Sequence, residues 1–150
     1  MKIFFPGSFN PFTKGHADIL CRLLDLADNV VVGIGVNPEK EASSYTSSAN
    51  KAAIEEYIEK KGVKNRVKVV IYSGLTAEEA MRQGADCMAR GIRTAEDFEY
   101  ENTLASANRD AFGMETILLA ADPSLSFVSS SIIRELQRNG HDDLAQKYIP

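Results

Sequence analysis

A serine, a histidine and several turn-forming residues stand together near the N-terminus, in Pro6-Gly7-Ser8-Phe9-Asn10-Pro11-Phe12-Thr13-Lys14-Gly15-His16. Glycine lets a backbone come close to a ligand, and the two prolines fix the path of the loop. A helix starting near Gly15-His16 would turn its unpaired N–H groups back along that loop, making an anion site from backbone alone. Ser8 adds a hydroxyl donor and His16 an imidazole donor aimed the same way. The same residues also read as a plain turn, with Thr13 as helix cap and His16 on the surface; a Thr-x-Gly-His tetrapeptide does not separate the two readings. The loop lacks the Gly-Lys-Ser/Thr of a P-loop and the Gly-x-Gly-x-x-Gly of a dinucleotide-binding turn. Both absences count against those two phosphate chemistries.

Three further stretches carry groups suited to phosphate. Lys40, in Asn37-Pro38-Glu39-Lys40, is either a solvated lysine or a point charge for an anionic substrate. Arg90 and Arg93 flank Gly91-Ile92, and Asp97 lies four residues beyond Arg93. That spacing allows a helical Arg93–Asp97 pair, while Arg90 could grip a phosphate with two parallel N–H bonds. Asn108 and Arg109 lie further along the same segment, as surface residues or a second contact. Finally, Ser129-Ser130-Ser131 precede Ile132-Ile133-Arg134. Serines at a helix start are caps or donors for a polyphosphate at a second helix N-terminus, with Arg134 adding charge.

These stretches can cooperate only if the elements around them bring them to one end of a sheet. Apolar runs at residues 3–5, 29–36, 67–72, 85–89 and 116–121 read as strands. The second is a near-continuous Val/Ile/Gly run, as expected of a strand buried on both faces. Between them lie helical patterns, among them one with Ile19, Leu20, Leu23, Leu24 and Ala27 on one face. Helices are expected at 49–60, 77–83, 95–112 (closed by Gly113), 132–138 and 142–148. This alternation predicts an α/β, Rossmann-like doubly wound five-stranded parallel sheet with helices on both faces, in a single domain over 1–150. In such sheets ligands sit beyond the carboxyl ends of the strands, where the strand order reverses. The candidate residues all follow strands.

Composition narrows the class. The 150 residues are 44% hydrophobic and 25% charged, with net charge −4, which suits a soluble domain with its own core and disfavours a general polyanion binder. No run approaches a membrane span of roughly 20 apolar residues, and the apolar start is too short for a signal peptide. Cys21 and Cys87 stand far apart, outside any metal-type spacing; both are expected to be buried, reduced thiols, as in a reducing cytosol.

Taken together, the chain resembles the nucleotidylyltransferase superfamily. The Ser8 to His16 loop resembles its (His/Thr)-x-Gly-His element, and Ser129-Ser130-Ser131-Ile132-Ile133-Arg134 resembles its second motif, Ile-Ser-Ser-Thr/Ser-x-x-Arg. Arg90-Gly91-Ile92-Arg93 followed by Asp97-Phe98-Glu99-Tyr100-Glu101 is similar to the pattern of the bacterial phosphopantetheine adenylyltransferases, and the likeness spans essentially the whole chain. The resemblance implies adenylyl transfer from ATP to 4′-phosphopantetheine, giving dephospho-coenzyme A and pyrophosphate in the penultimate step of coenzyme A synthesis. It implies His16, Ser8, Lys40 and Arg90 as the catalytic set. It places Ser8, Phe9, His16, Gly91, Ile92, Arg93 and Glu101 on ATP, with Leu125, Ser126, Phe127, Val128, Ser129, Ser130 and Ser131. It places Ser8, Lys40, Thr76 and Arg90 on phosphopantetheine. It further implies Mg²⁺ held mainly through ATP phosphates, with no protein metal cluster, and a cytoplasmic homohexamer without nucleic-acid or membrane partners. The chain departs from the usual pattern at Ser8 (commonly Thr), Asn10 (commonly Asp), Thr46-Ser47-Ser48-Ala49-Asn50-Lys51 (commonly Thr-x-x-Glu-Arg) and Gly74-Leu75-Thr76, which lacks a second apolar residue.

Other members of the superfamily are rivals. Nicotinamide-mononucleotide and glycerol-3-phosphate nucleotidylyltransferases usually carry His at the position of Thr13, and the cytidylyltransferases favour an Arg-Thr-x-Gly-x-Ser motif absent from this sequence. A non-catalytic nucleotide sensor on the same fold is the alternative from another class.

Overall fold

The computed structural model describes residues 1–37 and 46–150. Lys40 and most of the loop around it lie outside the described residues. Along the chain run β1 (Lys2–Gly7), α1 (Lys14–Leu26), β2 (Asn29–Gly35), α2 (Ser47–Lys60), β3 (Val67–Tyr72) and α3 (Thr76–Arg82). They are followed by β4 (Cys87–Ile92), α4 (Ala95–Phe112), β5 (Thr116–Ala120), a 3₁₀ turn (Pro123–Leu125), α5 (Ser130–Arg138) and α6 (Asp142–Gln146).

The five strands form one sheet in the order β3-β2-β1-β4-β5, every pair parallel. The chain winds outward from β1 to β3, then returns to β4 on the other side of β1. The order therefore reverses between β1 and β4, and the crevice beyond their carboxyl ends is where this architecture binds ligands.

Strand residues alternate between the two faces. Ile3, Phe5, Val30, Val32, Val67 and Val69 pack against Leu20 and Leu23 of α1 and Ile54 and Ile58 of α2. Phe4, Val31, Tyr72 and Met88 face the other way, onto Ala77 and Ala80 of α3. Each large side chain fully withdrawn from water here contributes about 1.5–3 kcal/mol.

Most element boundaries differ from expectation by a residue or two, and those of β4, α5 and α3 bear on the site. β4 does not end at Ala89. Its ladder with β5 continues through Arg90↔Leu118, Gly91↔Leu119 and Ile92↔Ala120, so Arg90 and Gly91 belong to the strand and not to a flexible loop. Gly91 suits this position because a Cβ there would lie 3.1 Å from the Ile19 side chain of α1. α5 begins at Ser130, two residues early, because Ser129 caps it by accepting the Ile132 N–H at 3.1 Å. α3 begins at Thr76. α6 ends early, at Gln146. Gly113 closes α4 in the left-handed conformation (φ 68°), as its position predicts. One thiol is misjudged by the sequence: Cys87 is buried, but Cys21 is exposed on the flank of α1, with Sγ 3.4 Å from the Tyr57 hydroxyl.

Candidate active site

A cleft of about 390 Å³ opens at the switch point, lined by the ends of β1 and β4 and by the starts of α1 and α5. Its floor holds Ser8, Gly15 and His16; one wall holds Arg90, Gly91, Arg93 and Glu101; the other holds Leu125, Val128 and Ser129 to Ser131.

His16 is set by local sequence. Thr13 caps α1 in a reciprocal box. Its Oγ1 accepts the His16 N–H at 3.2 Å, and its own N–H donates to His16 Nδ1 at 3.0 Å. A ring nitrogen that accepts cannot carry the proton, so the neutral imidazole bears it on Nε2. Phe12 stacks on the ring (16°, centroids 5.9 Å apart) and Phe9 meets it edge-on at 4.9 Å. Burial among these rings pushes the His16 pKa down to about 4, with the charges of Arg90 and Arg93 acting in the same direction. At neutral pH His16 is thus an uncharged donor, fixed in tautomer and orientation. Phe9 reaches this place through a positive φ of 47°, and the whole residue is 1% exposed. Its ring is therefore part of the packing beneath His16.

Folding a histidine that prefers neutrality has a measurable consequence. The folded pKa (about 4) lies below the ordinary value of 6.5, so between those values the unfolded chain binds more protons. Stability from this group is full above pH 6.5 and is lost as pH falls toward 4. Thermal unfolding followed from pH 7 to 4 should show a loss of roughly 2 kcal/mol that His16→Gln removes, because the open cleft hydrates the imidazolium enough to trim the full linkage value. An identical pH slope in both proteins would refute the assignment.

The helix starts offer fewer free donors than a bare N-terminus would. On α1 the Lys14 N–H goes to the Tyr148 carbonyl at 2.8 Å and the His16 N–H to Thr13, which leaves Gly15. On α5 the Ile132 N–H goes to Ser129 Oγ, which leaves Ser130 and Ser131. The serine hydroxyls are mostly committed to structure. Ser130 Oγ donates to the Pro11 carbonyl at 2.8 Å, and Ser131 Oγ accepts from Arg134 Nη2 at 3.3 Å. Arg134 Nη1 also donates to the Asn10 carbonyl. These bonds tie α5 to the first loop, so both helix starts are held in one fixed relation. Arg134 lines the cleft and belongs with the site residues; the final Arg of the second motif was its signal in the sequence.

Arg90 forms a fork with Glu101 of α4 (3.0 and 2.7 Å) and donates to the Pro6 carbonyl at 2.6 Å. Glu101 is buried and serves as the counter-charge of Arg90. Three of the five guanidinium N–H groups are engaged and two remain for a ligand. Arg93 pairs with Asp97 as its spacing suggested, but from the residue ahead of the Thr94 cap and not within the helix: its N–H and Nε both donate to Asp97 in the first turn of α4, at 3.0 and 3.2 Å.

Some sequence candidates fall elsewhere. Ile92 ends β4, paired with Ala120. Ser126 closes the 3₁₀ turn and donates to the Pro123 carbonyl. Phe127 is 53% exposed and packs its edge on Tyr148. None of the three lines this cleft. Thr76 opens α3 beyond the end of β3, outside the cleft proper but at the same end of the sheet. Tyr100 and Asp97 line the cleft without having been singled out as ligand contacts.

A cytidylyltransferase-like family model matches residues 4–136. A phosphopantetheine adenylyltransferase of Porphyromonas gingivalis is 44% identical over 138 residues, covering 92% of this chain and 88% of the relative. One from Bacteroides thetaiotaomicron is 42% identical over 150 residues, covering 99% and 95%. The chain belongs to the phosphopantetheine adenylyltransferase family. The fold agrees with more distant solved structures. A bifunctional NMN adenylyltransferase/ADP ribose pyrophosphatase from Francisella tularensis superposes with a TM-score of 0.70 at 17% identity, over 93% of this chain and 42% of that one. A Plasmodium falciparum nicotinic acid mononucleotide adenylyltransferase complexed with NaAD gives 0.64 at 16% identity, over 99% of this chain and 89% of that one. At such identities the likeness is one of fold alone. The family membership and the cleft, lined by a neutral His16 and two helix starts, rest on separate observations and agree.

Proposed function

We propose that the chain transfers the adenylyl group of ATP to 4′-phosphopantetheine, giving dephospho-coenzyme A and releasing pyrophosphate. The observation that carries this, beside family membership, is the convergence of donors. The N–H groups of Gly15, Ser130 and Ser131 and the Nε2–H of His16 face one cleft whose opposite wall is cationic. That donor set suits a chain of phosphates.

The acceptor phosphate is already ionised, so no general base is required and His16, neutral and unable to hold a second proton at pH 7, is not asked to be one. In-line attack by an acceptor oxygen on the α-phosphorus expels pyrophosphate without a covalent enzyme intermediate. The protein positions the two phosphates and stabilises charge as it builds on the α-phosphoryl oxygens. His16 Nε2–H and Ser8, exposed on the cleft floor, donate there. Gly91, Arg93 and the α5 start hold the ATP side. Arg90, Thr76 and Lys40 hold the acceptor, Lys40 lying outside the described residues. Mg²⁺ would be held through the ATP phosphates and would supply charge neutralisation for the leaving group, which suits a donor set made of N–H groups and cations.

We also propose a homohexamer in the cytoplasm. Of the 18 residues of α4 only Glu101 is buried, and Tyr100 and Leu104 stand exposed one turn apart, as on a face that meets another copy. A monomer in sedimentation would remove that part. No helix among the described residues is long and apolar enough to cross a membrane.

The test is pyrophosphate release from ATP and Mg²⁺ with 4′-phosphopantetheine, and in parallel with nicotinamide mononucleotide or glycerol-3-phosphate as acceptor. Release with phosphopantetheine alone is expected. Release with another acceptor reassigns the substrate, and release with none favours a nucleotide sensor.

A further inference from the structure

Tyr72 is the last residue of β3, and its phenol is buried where the strand turns into α3. The ring lies edge-on to Phe4, with centroids 5.7 Å apart at 66°. Its hydroxyl lies 2.9 Å from Thr76 Oγ1. The neighbouring residue across the ladder is Gly35, where a Cβ would come within 3.2 Å of that hydroxyl. The phenol therefore occupies a slot that the missing side chain of Gly35 leaves open, and it spends its polar group on the first hydroxyl of α3.

We propose that Tyr72 is a positioning residue for the acceptor: its hydroxyl donates to Thr76 Oγ1 and turns the Thr76 proton toward an amide carbonyl of the pantetheine arm. This rests on the reading of Thr76 as an acceptor contact. The direction of the bond follows from acidity. A phenol is a stronger hydrogen-bond donor than an aliphatic alcohol, so between the two it is the phenol that gives its proton. Thr76 can then donate its own to a ligand without losing a partner. Burial raises the phenol's pKa, so the donor remains protonated throughout the range in which the enzyme would work. Arg90, another proposed acceptor contact, acts electrostatically on the same phenol. Tyr72 thus bonds one of the residues that would grip the acceptor and feels the charge of a second.

Steady-state kinetics of Tyr72→Phe, Thr76→Val and the double variant test this. Tyr72→Phe keeps the ring and removes one oxygen, so it leaves the packing on Phe4 in place. We expect KM for 4′-phosphopantetheine to rise about fivefold in each single variant, the worth of one neutral hydrogen bond, with kcat and KM for ATP unchanged. The double variant should be no worse than the larger single one, because both remove the same donor chain. Gly35→Ala, which crowds the hydroxyl, should reproduce the effect and should add nothing on top of Tyr72→Phe. If Thr76→Val raises KM and Tyr72→Phe does not, the positioning role is wrong and Thr76 remains an acceptor contact. If Thr76→Val changes nothing, Thr76 is not a contact through its side chain and the proposal falls with it. Additive effects, or a fall in kcat together with a rise in KM for ATP, would assign Tyr72 a purely structural role and also overturn it.

Discussion

Replacing His16 with alanine is expected to lower kcat by about a hundredfold or more, the cost of losing one preorganised donor to a developing charge, while KM for ATP changes little. The expectation follows from what the residue can and cannot do in this fold. Its Nδ1 is occupied by the Thr13 N–H and its pKa lies near 4. It can therefore neither take a proton nor add a full positive charge at neutral pH. What remains is the Nε2–H, held in direction by the capping box and by the rings of Phe9 and Phe12. A donor of this kind matters most where charge grows during the reaction, so its loss appears in kcat. His16→Ala also removes half of the capping box, at about 1 kcal/mol, so the thermal midpoint is measured beside the kinetics. An unchanged kcat would rule out His16 as the transition-state donor.

The second large effect concerns Arg90, where stability and binding must be separated. Removing the guanidinium leaves the buried Glu101 carboxylate without its partner, a change that costs about 3 kcal/mol. Arg90→Ala should therefore lower the unfolding free energy by that order, and Arg90→Ala/Glu101→Gln should recover most of it. The two free N–H groups of Arg90 are a different matter. If they hold the acceptor phosphate, KM for 4′-phosphopantetheine rises at least about tenfold, and it stays raised in the stabilised double variant. Recovery of KM along with stability would show that Arg90 only supports the wall of the cleft. A change confined to KM for ATP would place it on the other substrate.

The sheet and its order of elements were legible because β1, β2 and β3 carry buried apolar runs and α1 keeps its apolar residues on one face. The two motif helices were legible through their caps: Thr13 and Ser129 are the residue types that close a helix start, and each is followed by the residues it aims. The commitments of individual groups were not legible. Nothing local to Ser130 says that its hydroxyl is spent on Pro11, 119 residues away in sequence, or that Tyr148 closes on Lys14. Such contacts are set by how α5 and α6 dock, which is a tertiary matter. The extent of β4 was misjudged for a related reason. Arg90 and Gly91 look like a loop in isolation, and only the ladder with β5 holds them extended. Lys40 has the chemistry expected of an acceptor contact but lies outside the described residues.

The two thiols differ in a way that gives the molecule its own pair of reporters. Cys21 is exposed and Cys87 is buried in the sheet, so a bulky thiol reagent added to the folded protein modifies the first and reaches the second only when the strands part. Cys21 also stands at the outer end of a row of side chains: Tyr57 lies against it, Phe12 against Tyr57, and His16 against Phe12. A fluorophore attached there would register events in the cleft, while the labelling rate of Cys87 would time the opening of the whole fold, and a single wild-type sample would supply both clocks.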